Sequence, residues 1–65
     1  MENWNRKVID ALNYQISFGS VPSDMKASLL LELGKEIDRR EVYKEPTHEI
    51  EMLYRDALAL KSQTL

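Results

Sequence analysis

The one histidine of this chain, His48, stands three residues after Glu45. Glu-x-x-His is the helical spacing with which di-iron bundles hold their metals, but those sites take two such motifs and two further inward glutamates. Here there is one motif, interrupted by Pro46, so His48 reads as a solvated first-turn residue. Cysteine is absent, which removes disulfides and the commonest zinc sites. Gly34-Lys35 has the ending of a phosphate-binding loop, yet such a loop needs glycines on a turn between strand and helix, so that backbone N–H groups point inward. Gly34 falls inside a helical stripe with no strand before it. The serines and threonines share the lone histidine and gather at caps and ends, which leaves no nucleophile–base pair. The acids follow helix surfaces and helix starts, where solvation explains them better than a concave apolar site would. These residues predict no catalytic centre, no cofactor and no metal.

A short stretch, Leu33-Gly34-Lys35-Glu36-Ile37-Asp38, resembles at Glu36 and Asp38 the Ser-Gln-Glu-Leu-Asp signature of small sporulation-type aspartyl-phosphate phosphatases. Those are helical hairpins that act on response regulators, and the resemblance would imply chemistry at Glu36 and Asp38. Gly34 and Lys35 stand where the signature has Ser and Gln, the loop spacing differs, and a third helix has no counterpart. The similarity covers about five residues and assigns no family.

The elements that could position any site follow from two breaks, Phe18-Gly19-Ser20-Val21-Pro22 and Lys44-Glu45-Pro46-Thr47. Glycine and proline punctuate local structure, and the residue before proline is pushed out of helical geometry. Each remaining segment has a helical period. In the first, Asn3 caps and Trp4, Val8, Ile9, Ala11, Leu12 and Ile16 share one face; Gly19 suits a left-handed stop. In the second, Ser20 or Ser23 caps, Pro22 fits the first turn, and Met25, Leu29, Leu30, Leu33 and Ile37 form the stripe. Gly34 inside this helix costs about 1 kcal/mol relative to alanine, which points to a close neighbouring backbone or a bend. In the third, Thr47 caps, and Ile50, Leu53, Tyr54, Ala57 and Leu58 recur without interruption, Lys61 lies near the end, and the last four residues fray. Short connections favour antiparallel neighbours. The expected fold is one all-α domain, 1–65, a small three-helix bundle with helices near 3–18, 22–43 and 47–62. Pairing of two chains as a homodimer satisfies the same pattern.

Sixty-five residues bury only about 60% of the surface their unfolded form exposes. One core of this size supplies roughly 3–5 kcal/mol, so self-association or docking is a natural supplement. The formal charge is −2, with three basic and four acidic groups in residues 1–34 and six and seven in 35–65. No basic stripe appears, which argues against phosphate-dominated nucleic-acid binding. No apolar run approaches a membrane span, and Met-Glu-Asn-Trp-Asn lacks the features of a signal peptide, so a cytoplasmic location is expected.

The second helix carries more apolar surface than one stripe needs. Ala27, Leu31 and Gly34 form a separate face, which is core if the helix packs between the other two and a dimer or partner surface otherwise. Tyr14 and Tyr43 lie outside the main stripes or at their ends, and aromatic residues mark interfaces. The expected function is a small non-catalytic regulator of inhibitor or adaptor type that binds another protein, or itself, through Tyr14, Leu31, Tyr43, Ala27 and Gly34. The alternative is a helix-turn-helix-like nucleic-acid binder. There Lys35, Arg39, Arg40 and Lys44 would meet phosphates, against the interleaved Glu36, Asp38, Glu41 and Glu45.

Overall fold

The computed structural model describes residues 4–63. Among these the chain forms three helices, α1 (Trp4–Phe18), α2 (Ser23–Val42) and α3 (His48–Leu58). All three pairs touch, α2 with α3 most extensively. The chain is a small all-α three-helix bundle. The twenty residues of α2, rising about 1.5 Å each, span about 30 Å of the 38 Å long dimension.

Both sequence breaks fall between helices. Gly19 takes φ 83° and its amide donates to the Gln15 carbonyl at 2.6 Å, the left-handed stop that glycine makes without steric cost. The start of α2 differs from expectation. Pro22 is the residue before the first turn, at φ −57° and ψ 140°, and neither Ser20 nor Ser23 caps with its side chain. Thr47 stands at the cap position of α3, again without a side-chain cap bond. The Asn3 cap expected for α1 lies outside the described residues.

At its far end α2 closes with a left-handed residue that is not glycine. Lys44 has φ 60°; its amide donates to Glu41 at 3.2 Å and the Glu45 amide to Arg40 at 2.8 Å. These two bonds make a Schellman cap, and they satisfy carbonyls the helix would otherwise leave open.

The third helix is shorter than its periodicity suggests. It ends at Leu58, and the following residues turn back instead of continuing to 62. Leu60 drops into the core at 2% exposure. Ser62 then forms a parallel bridge with Val21: the Val21 amide donates to Lys61 and the Gln63 amide to Val21, both at 2.8 Å. Lys26 Nζ donates to the Leu60 carbonyl at 2.8 Å, and the Lys61 amide donates to the Gln15 side-chain oxygen. Expected fraying therefore fails at Ser62 and Gln63; Thr64 and Leu65 lie outside the described residues. The physical reason is that leaving the helix lets Leu60 fill the bundle end beside Val21. The bridge supplies the backbone partners that a helical turn would have supplied.

The core comprises Val8, Ala11, Val21, Leu29, Leu33, Ile50, Ala57 and Leu60, with Trp4, Leu12, Tyr14, Leu30, Ile37, Leu53 and Tyr54 packed against it. Ile9 and Ile16, expected on the buried stripe of α1, are 53% and 81% exposed. Each residue step turns a helix by about 100°, so Ile9 points well away from Val8, and Ile16 follows it two turns on. A bundle this small offers α1 two neighbours and buries only the middle of a wide apolar face. Met25 and Leu58, at the margins of their stripes, are likewise exposed.

Candidate functional site

Ala27 and Leu31 are exposed and Gly34 is half-buried, so their common face is not core. With Leu30, Ile37 and Tyr54 they line an open groove of about 620 Å³ along α2 and α3. The helical period brings Leu30 and Ile37 to the inner wall, Ala27 and Leu31 to the outer one, and Tyr54 reaches across from α3. Lys35 and Asp38 add one charge of each sign to the lining.

Gly34 has a different role from the one its sequence position suggests. A Cβ built there would meet only Tyr54 Cε2, at 3.9 Å, an ordinary contact. No neighbouring backbone lies close enough to demand glycine, and α2 runs through the position without interruption. What the glycine does is keep the groove floor open beside the Tyr54 ring.

The two candidate tyrosines lie elsewhere. Tyr14 is half-buried and packs on Phe18 with ring centroids 4.6 Å apart. It lines a second cleft, about 400 Å³, together with Lys7, Asp10, Met25 and Glu32. The Lys7–Glu32 ion pair, 3.4 Å long, spans α1 and α2 there, and the Lys7 ammonium sits 4.9 Å from the Trp4 ring centroid. Tyr43 is 67% exposed at the end of α2, with the Arg39 guanidinium 6.0 Å from its ring centroid. The five candidates thus divide into one group of three and two separate residues. Spacing assigns Tyr54, Leu30 and Ile37 to the core stripes; only the packing of α3 against α2 shows that they also border a groove.

Glu36 and Asp38, the residues of the short phosphatase resemblance, have different surroundings. Arg39 forks onto Glu36 with Nε at 3.0 Å and Nη2 at 2.8 Å, and Arg40 Nε adds a bond of 2.7 Å. The hydrogen bonds from Arg39 and then Arg40 hold the Glu36 carboxyl at about 2, and the same pairing raises Arg39 above its ordinary value. Arg39 also reaches both oxygens of Glu45 at 3.4 Å. Among the described residues no group of three or more His, Asp or Glu side chains could hold a metal ion, and His48 is exposed in the first turn of α3. No described helix is long and apolar enough to cross a membrane. Comparison with protein-family models, curated proteins and solved structures finds no match for this chain.

Proposed function

We propose that this chain is a small non-catalytic binding protein that takes an amphipathic helix of a partner protein into the groove between α2 and α3. The observation that supports this most is the groove itself: apolar walls from Leu30, Leu31, Ile37 and Tyr54, with Gly34 leaving the floor without a side chain. Helix-in-groove recognition uses such a channel, with apolar anchors at helical spacing and polar groups at the rim. An inhibitor or adaptor needs nothing more. The helix-turn-helix reading is weaker because Arg39 and Arg40, two of its four proposed phosphate contacts, are already committed to Glu36.

Affinity capture compares the wild-type chain with Gly34→Leu, which fills the groove, and Tyr43→Ala, which trims the far end of α2. A partner held by wild type and Tyr43→Ala but lost with Gly34→Leu supports the groove. One that Gly34→Leu retains while circular dichroism shows that variant folded overturns it.

A further inference from the structure

Along the outer wall of the groove and on past it to Val42, four outward residues of α2 form an apolar–charged–charged–apolar pattern with the same spacing from either end. Leu31, Lys35, Asp38 and Val42 are spaced by four, three and four, the heptad step of a helix–helix seam. At helical pitch they fall within an arc of about 60°. All four are exposed, and Leu31 and Val42 leave 60% and 74% of their surface in solvent. Lys35 and Asp38 take part in none of the ion pairs among the described residues, although Glu32, Glu36, Arg39 and Arg40 on the same helix are all paired.

We infer that two copies of this chain pair along this seam, α2 against α2, antiparallel about a two-fold axis that passes between positions 36 and 37. Leu31 and Val42 are equidistant from that point, and so are Lys35 and Asp38. The axis therefore sets Leu31 of each copy opposite Val42 of the other, and Lys35 of each opposite Asp38 of the other. Two ion pairs at the centre are flanked by two apolar contacts. A parallel pair would instead stack Lys35 on Lys35 and Asp38 on Asp38, which like-charge repulsion disfavours. An unrelated partner has no need of a surface with this internal symmetry, whereas an isologous interface requires it. The seam covers about 16 Å of helix, so the contact belongs to the small, concentration-dependent class. It shares Leu31, Lys35 and Asp38 with the groove lining, so a second copy seated on the seam covers the outer wall of the groove and competes with a partner helix there.

The test is sedimentation equilibrium at low salt, from micromolar to millimolar concentration, on wild type, Lys35→Asp, Asp38→Lys and an equimolar mixture of the two variants. Wild type is expected to self-associate. Each variant alone, folded by circular dichroism, is expected to associate about tenfold more weakly, because it turns two attractive pairs into repulsive ones. The mixture is expected to recover association as a heterodimer, since the introduced aspartate of one chain then meets the introduced lysine of the other. A wild type monomeric at millimolar concentration, single variants that associate like wild type, or a mixture that recovers nothing would each overturn the pairing. Partner capture through the groove is read separately, with Gly34→Leu at a position outside the seam and at dilute concentration where the copies do not pair.

Discussion

At one end of the bundle the α1–α2 loop and the segment after α3 close over Val21 and Leu60, which are 0% and 2% exposed. At the other end residues 43–46 of the α2–α3 loop stay in solvent, tied by Arg39 between Glu36 and Glu45. Both ends must stop helices and redirect the chain. The first does so by burial, a glycine in the left-handed region and a backbone bridge; the second by charge and a lysine in that same region. Buried apolar side chains hold no charge for salt to screen or acid to titrate, while exposed ion pairs are screened by one and discharged by the other. The two ends should therefore fail under different conditions.

The largest break in that comparison is expected from Leu60→Ala. Removing a fully buried leucine costs about 2–5 kcal/mol, comparable to the whole stability of a domain of this size. Loss of the cooperative transition in urea denaturation is the expected result; a midpoint near that of wild type would show that the C-terminal segment adds little. Exchanging the stop residues gives effects of opposite sign. Gly19→Ala, although nothing lies within 4 Å of the new Cβ, forces alanine to φ 83° and should cost about 1 kcal/mol. Lys44→Gly should gain about 1 kcal/mol by removing the same strain, raising the melting temperature by roughly 4–8 °C.

Gly34→Ala should stabilise by about 0.5–1 kcal/mol, as alanine gains helix propensity and the new Cβ finds room. The same change narrows the groove, so higher stability with weaker partner capture would sharpen the case for a glycine kept for binding. The smallest effect belongs to the charged end. The folded Glu36 carboxyl sits at about 2 against an ordinary 4.5, so its pairing stabilises fully above the unfolded value and is lost as pH falls toward 2. Melting curves of wild type and Glu36→Gln should differ at pH 7 and converge near pH 2. High salt should also bring them together. A gap of constant size across pH would mean that Glu36 acts through packing and not through charge.

Helix positions were legible because Gly19, Pro22 and Pro46 interrupt patterns that are otherwise local. Grouping Ala27, Leu31 and Gly34 was also legible, since residues on one helix share a face by spacing alone. The missing half of the groove comes from Tyr54 on another helix, which spacing within a helix does not place. Tyr14 and Tyr43 join these residues as aromatics off the main stripes, a reading that does not say which face of the bundle each one meets. Ile9 and Ile16 looked like core because periodicity gives a direction but not the width of the face a small bundle can cover. Leu60 is the converse case. Its burial depends on Val21, most of the chain away, and the helical pattern of α3 runs past Leu58 with nothing to announce the turn.

The Val21–Ser62 bridge also has a kinetic consequence. Helices form from near neighbours within microseconds, but this pairing closes a loop that contains most of the chain, and loop closure must precede the contacts that reward it. It should therefore be among the last contacts made during folding. The Val21 and Gln63 amides, which donate across it, are natural clocks for hydrogen exchange: if the clasp and the bundle open together, both protons exchange at the rate of global unfolding, and if the clasp opens first, they exchange ahead of the helices.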